Sequence, residues 1–199
     1  MTKIVIATQN ENKVEEIKQM LEGTCIEAVS LRELKISVDV VEDGKTFEEN
    51  AYKKAFEIMK ITGMPTLADD SGLQVYALNG APGVYSARFA GAHGDYLRNN
   101  QKLLELMKDV PDGKRGARFV TVMVLLYPDM KKITARGEIE GYIGHELKGI
   151  NGFGFDPLFM VPELKKSFAE LDSSEKNSIS HRGRALRAMR EKLLSSSSL

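Results

Sequence analysis

Cysteine is nearly absent from this chain: its 199 residues include only Cys25. That excludes an internal disulfide and leaves a thiolate metal site without a second ligand, so Cys25 reads as a small core residue. Net charge is absent as well, with 28 Lys and Arg set against 28 Asp and Glu. No overall field then draws the chain to nucleic acid or to an anionic membrane, and any phosphate site has to be local. Long apolar runs are missing: nothing approaches the ~18 residues of a membrane span, and Met1 to Thr8 turns polar too early for a signal peptide. The expected location is the cytoplasm. There is no internal repeat and no glycine-rich phosphate loop, and low complexity is confined to the terminal serines Ser195 to Ser198. The composition that remains, 42% hydrophobic and 28% charged, suffices for one domain over residues 1–199, in one body or two lobes, with residues 195–199 as a flexible tail.

Against these absences one stretch stands out. In Leu67-Ala68-Asp69-Asp70-Ser71-Gly72-Leu73 two adjacent acids, a hydroxyl and a glycine interrupt what otherwise reads as a buried strand. An unpaired buried carboxylate costs several kcal/mol or shifts its pKa. A divalent cation is the natural compensator, and Mg²⁺ is commonly shared between one or two carboxylates and substrate phosphates.

In chain order, Lys3 to Ala7 is a β-branched strand, followed by the polar loop Thr8-Gln9-Asn10-Glu11-Asn12-Lys13 and a helix through Val14, Ile17, Met20 and Leu21. The loop reads either as an anion site at a helix N-terminus or as plain capping by Asn10 or Asn12. Leu31 and Leu34 suit a helical turn, and Ile36, Val38 and Val40 alternate like a strand. The acidic turn Val41 to Lys45 is either a surface loop or a source of one more metal carboxylate, Glu42. Thr46 to Glu49 looks like a capping box opening a helix that ends near Gly63, with Asn50 and Lys54 on one face. Leu73, Val75 and Ala77 alternate as strand, Arg88 sits in a short irregular or extended piece, and Gly94 to Val110 is an amphipathic helix with Leu97, Leu103, Leu104 and Met107 on its apolar face. Arg118 to Tyr127 pairs with Lys132 to Gly141 as a hairpin. In Gly149 to Phe159 small residues alternate with aromatics, which suits a nucleobase pocket, although Phe155 and Phe159 read as core. The last helix runs from a Ser180 N-cap to about Leu194, and Lys176, His181 and Arg182 would supply donors at its start.

Six ordered motifs carry a resemblance: Thr8-x-Asn10-x-x-Lys13, Thr46-Phe47-x-Glu49-Asn50-Ala51-x-x-Lys54-Ala55, Ala68-Asp69-Asp70-Ser71-Gly72-Leu73, Gly80-Ala81-Pro82-Gly83-Val84-Tyr85-Ser86-Ala87-Arg88, Gly152-Phe153-Gly154-Phe155-Asp156-Pro157 and Ser180-His181-Arg182-Gly183. Over nearly its whole length the chain resembles the inosine/xanthosine triphosphate pyrophosphatase family. It departs at Gln9, where a glycine is common, and at Val41-Glu42-Asp43-Gly44, which is looser than the family's acidic pair before a glycine and leaves Asp43 as an alternative to Glu42. The resemblance implies an α/β fold, a mixed central sheet flanked by helices with two lobes around a cleft, in a cytosolic, Mg²⁺-dependent homodimer. The implied activity is hydrolysis of ITP, dITP and XTP to the monophosphate and pyrophosphate. Carried over by position, Thr8, Asn10, Lys13, Lys54 and Ser71 bind phosphate, Glu42 and Asp70 hold the metal, Asp70 or Asp69 takes the proton, and Phe153, Asp156, Lys176, His181 and Arg182 bind the base. The rivals are a pyrophosphatase for pyrimidine nucleotides and a nucleotide sensor without catalysis; a nucleic-acid-binding module is disfavoured by the balanced charge.

Overall fold

Strands that bury both faces need apolar residues at successive positions, and the strand runs here have them. In the computed structural model, which describes residues 2–196, β1 (Thr2–Ile6), β3 (Thr66–Val75) and β4 (Gly116–Leu126) are strands of this kind. Together with β2 (Ile26–Ser30), β5 (Lys132–Ile143), β6 (Phe159–Val161) and β7 (Lys166–Ser167) they form, among the described residues, one seven-stranded sheet in the order β2-β1-β3-β4-β5-β6-β7. The sheet is mixed: β1 runs parallel to β2 and β3, and β6 antiparallel to β5 and β7.

The chain divides into two compact units and passes between them within β3, β4 and β5 and again between His181 and Arg182. The first comprises the chain up to Asp70, Thr121–Gly137 and the chain from Arg182 on. Here the period-two alternation of strand side chains sorts the core into two clusters. Ile4, Ile6, Leu67, Met123 and Leu125 pack with α1 (Glu11–Leu21) and α5 (His181–Ser196). The intervening Val5, Ala7, Ala68, Val124 and Leu126 pack with α2 (Phe47–Thr62). The second unit comprises Ser71–Val120 and Glu138–His181. Its core gathers Leu73, Val75, Phe119, Ile139, Phe155, Phe159 and Phe168 against Leu103 and Met107 of α3 (Tyr96–Met107), and it also carries the short α4 (Ser173–Ile179).

Several expectations change. The strand is not interrupted at Asp69, because β3 continues to Val75 and cationic and amide partners compensate the acids. Ile36, Val38 and Val40 do alternate in burial and cover the α2-side core, yet they form no strand: alternation reports which side chains face the core, and a ladder needs a neighbouring edge as well. After Val75 the chain turns into a 3₁₀ segment, Tyr76–Leu78, so Ala77 is not in a strand. Leu97 is 61% exposed, and Asn99 and Asn100 are buried on α3 in its place. Cys25 is exposed instead of buried. Ser180 is the C-cap of α4, so Lys176 belongs to that separate helix, whose N-cap is Asp172. Of the tail expected at 195–199, residues 195–196 continue α5 and 197–199 lie outside the described residues.

Candidate active site

Adjacent residues of a strand point to opposite faces, and this separates the two aspartates. Asp69 follows Leu67 onto the α1 and α5 side; Asp70 follows Ala68 onto the α2 side. Lys13 Nζ, one turn into α1, donates to Asp69 Oδ2 at 2.9 Å, and Arg182 Nε at the start of α5 lies 3.6 Å from the same oxygen. Arg182 is also paired with Glu16 of α1. Burial alone would raise the Asp69 carboxyl, but Lys13 and Arg182 outweigh it and hold the group well below the usual carboxylate range. Burial also pushes the Lys13 ammonium down, against the pull of Asp69.

Across the strand, Asn50 Nδ2 of α2 donates to Asp70 Oδ2 at 2.9 Å. Lys54 Nζ, one turn further along α2, lies 3.9 Å from Asp70 Oδ1 and donates to Glu42 Oε1 at 3.0 Å. Two carboxylates thus converge on one ammonium. Burial raises the Asp70 carboxyl, and Glu42 adds to the rise against the opposing effect of Lys54 and Lys13. The Lys54 ammonium is pushed down by burial, yet Asp70 and Glu42 leave it above its ordinary value. These oxygens suit a hard cation that takes one or two carboxylates and leaves its other positions to water and phosphate. Among the described residues no group of three or more His, Cys, Asp or Glu side chains is assembled to cage a metal, as a structural zinc site would require. The pair Glu42 and Asp70 fits a hard divalent cation of this kind.

At the β1–α1 loop, Thr8 Oγ1 accepts from the backbone N of Asn10, and Asn10 Oδ1 accepts from those of Asn12 and Lys13, so capping does occupy the Asn10 side chain. Ser71 is half-buried on β3, one residue past Asp70.

In the second unit, Asp156 Oδ2 accepts from the backbone N of Phe153 and from Lys176 Nζ, both at 2.8 Å. Lys176 Nζ stands 4.9 Å from the centre of the Phe153 ring. Gly152 has positive φ, and a Cβ there would run into the Asp156 carboxylate, so glycine is required where the loop closes on that side chain. The His181 ring stacks on Phe119 at 4.6 Å, inside a cluster that includes Phe159 and Phe168. Phe153, Asp156, Lys176 and His181 thus share this unit, whereas Arg182, grouped with them from the sequence, belongs to the first unit and is engaged with Glu16 and Asp69.

Three residues that organise these clusters have no role assigned from the sequence. Glu16 lies three positions after Lys13 on the same helical face. Asn50 stands out in the sequence only as a residue on the same helical face as Lys54; full burial of a poor helix former is the structural sign that it has polar work there. Asn100 donates to Gly154 O at 2.9 Å and so anchors the Phe153 loop to α3.

The sequence matches the Ham1 family over residues 4–192. The chain belongs to the Ham1 family. Curated relatives named dITP/XTP pyrophosphatase include one from Clostridium perfringens, 51% identical with 97% of this chain and 98% of that one covered, and one from Desulforamulus reducens, 52% identical with 95% and 94% covered. The Ham1 fold is seen directly in a HAM1 protein from Coxiella burnetii, which matches 98% of this chain and 100% of its own with a TM-score of 0.89 at 42% identity. The inosine/xanthosine triphosphate pyrophosphatase resemblance and the mixed, helix-flanked sheet both hold.

Proposed function

We propose that this Ham1 protein is a Mg²⁺-dependent nucleoside triphosphate pyrophosphatase that converts ITP, dITP and XTP to the monophosphate and pyrophosphate, removing deaminated purines from the nucleotide pool. The observation that carries it is the division of labour on β3, where one carboxylate is locked between cations and its neighbour faces a second carboxylate and a lysine. The names of the relatives point the same way.

Water attacks the α-phosphorus, the bond to the bridging oxygen of the β-phosphate breaks, and pyrophosphate leaves. Asp70 receives the proton of the water, because Asp69 is already engaged by Lys13 and Arg182. Lys13 and Lys54, with Thr8, Asn10 and Ser71, bind the phosphates and offset the charge that develops on the leaving group. Glu42 and Asp70 hold the Mg²⁺, which when bound neutralises phosphate charge and orients the phosphate oxygens. Asp69 keeps Lys13 in place, and Arg182 enters through Asp69.

Phe153 offers a face for the base, with Asp156 fixing its backbone. Lys176, paired with Asp156 beside the Phe153 ring, is placed to donate to the 6-keto oxygen of hypoxanthine or xanthine. Adenine's 6-amino group would leave that donor unpaired, a defect that can cost a factor of ~10⁴. His181 acts from within its aromatic stack. We assign the working form to a cytoplasmic homodimer; among the described residues no helix is long and apolar enough to cross a membrane.

The test is pyrophosphate release from a panel of nucleoside triphosphates with Mg²⁺. ITP, dITP and XTP should each be hydrolysed at least ~10²-fold more efficiently than ATP or the pyrimidine triphosphates. Release of orthophosphate, or binding without release, would overturn the proposal. Light scattering on the eluted protein should return twice the 22.1 kDa chain mass.

A further inference from the structure

Glu42 and Asp70 come from different places, one from an irregular turn and one from a strand, and as like charges they repel each other. Lys54 offsets that repulsion, but an ammonium on a flexible stem does not by itself fix how the two segments are held. Asn50, fully buried on α2, touches both segments. Its Nδ2 donates to Asp70 Oδ2 at 2.9 Å, and its Oδ1 accepts from the backbone N of Gly44, two residues after Glu42, at 2.8 Å. The turn closes so tightly on this amide that a Cβ at Gly44 would lie 2.6 Å from Asn50 Oδ1 and 2.8 Å from Glu49 Cβ.

Only an amide side chain of this length has a donor for a carboxylate at one end and an acceptor for an N–H at the other; an aspartate would repel Asp70, and a leucine would leave both groups unanswered. Helix propensity does not explain its presence, because asparagine is a poor helix former. We propose that Asn50 is a positioning residue that sets the separation and orientation of Glu42 and Asp70 for a shared divalent cation. The inference rests on the cation reading above and deepens it. Groups that orient metal ligands in this way typically contribute ~10- to 100-fold in metal affinity or turnover.

The direct test is Mn²⁺ binding to the intact protein, followed by the electron paramagnetic resonance of the free ion, with parallel Mg²⁺-dependent turnover. Asn50→Ala should weaken Mn²⁺ binding ~10-fold or more and lower kcat by a similar factor, while KM for ITP moves less than ~3-fold. Gly44→Ala, which displaces the amide and leaves Asn50 in place, should weaken Mn²⁺ binding in the same direction. Thr46→Ala removes the N-cap of the same helix, where Thr46 Oγ1 accepts from Glu49 N, and should lower Tm without changing Mn²⁺ affinity. Unchanged Mn²⁺ affinity in a folded Asn50→Ala protein overturns the inference, as does equal weakening by Thr46→Ala. If Asn50→Ala does not fold, Gly44→Ala decides, and unchanged affinity there is equally fatal. A parent protein that binds no Mn²⁺ would sink the cation reading itself, a different failure from a parent that binds and a variant that binds as well.

Discussion

The two units bury charge by different means. In the first, Asp69, Asp70, Lys13, Lys54 and Arg182 come from a strand and three helices, and each is answered by an opposite charge or an amide. In the second, Lys176 and Asp156 form one ion pair beside the Phe153 ring. There too, the buried Arg115 is held by backbone carbonyls: Nε by Ile143 O at 2.7 Å, Nη1 by Met107 O at 2.6 Å and Val110 O at 3.1 Å, and Nη2 by Gly144 O at 2.8 Å. A cluster of opposed charges suits ligands whose charge changes during reaction, such as phosphates. A single pair at the edge of aromatic rings suits a neutral planar group told apart by where its donors and acceptors lie.

The sharpest way to break this comparison lies within the first unit. Asp70→Asn removes the proposed proton acceptor and metal carboxylate, and should reduce pyrophosphate release ~10³-fold or more. Burial works against the Asp70 carboxylate, so its replacement by a neutral amide should leave stability in urea within about 1 kcal/mol of the parent or raise it. Asp69→Asn should do the reverse in kind. It leaves Lys13 and Arg182 buried without their shared carboxylate and should cost ~3–5 kcal/mol in a urea melt. Equal stabilities for the two variants would contradict the assignment of the aspartates to opposite faces.

The second unit gives a smaller effect of a different kind. Lys176→Met should lower the ratio of ITP to ATP hydrolysis ~10- to 100-fold, read as kcat/KM for each. A ratio unchanged from the parent would remove Lys176 from base recognition. The smallest effect belongs to an exposed pair. The Glu33 carboxyl is held down to about 2, from an ordinary value of 4.5, by Lys18 and by the N–H and hydroxyl of Ser30. A depressed carboxyl stabilises the fold above its unfolded value and loses that contribution as pH falls through its folded one. Glu33→Gln should therefore cost less than ~1 kcal/mol at pH 7, discounted for solvent screening, with the difference shrinking below about pH 4.5 and gone near pH 2.

Much of the fold is legible in the sequence. The helix from Thr46 to Gly63 follows from a capping threonine, a period of 3.6 and a glycine that adopts the left-handed C-cap. The hairpin of β4 and β5 follows from two β-prone runs and a turn, and Phe155 and Phe159 are core as their pattern suggests. The candidate site is legible only in part. His181 faces an aromatic cluster while its neighbour Arg182 pairs with Glu16 and lies beside Asp69, a parting of two adjacent side chains that sequence adjacency does not reveal. The partners of Asn50 and Asn100 are not legible in the sequence because residues such as Asp70 and Gly154 lie at sequence distances that local periodicity does not reach.

By itself the sequence determined the two-sided burial of the central strands, the helices that cover them and the presence of two acids within a buried run. Those properties depend on hydrophobic period, caps and turns, which act over a few residues. What each acid does was decided only by tertiary structure. Strand alternation sends Asp69 and Asp70 to opposite faces, and the groups waiting there, Lys13 and Arg182 on one side and Asn50, Lys54 and Glu42 on the other, arrive from distant segments. A carboxylate's protonation and its use follow from what stands within a few ångströms of it, and for these two that is set by the packing of helices against the sheet.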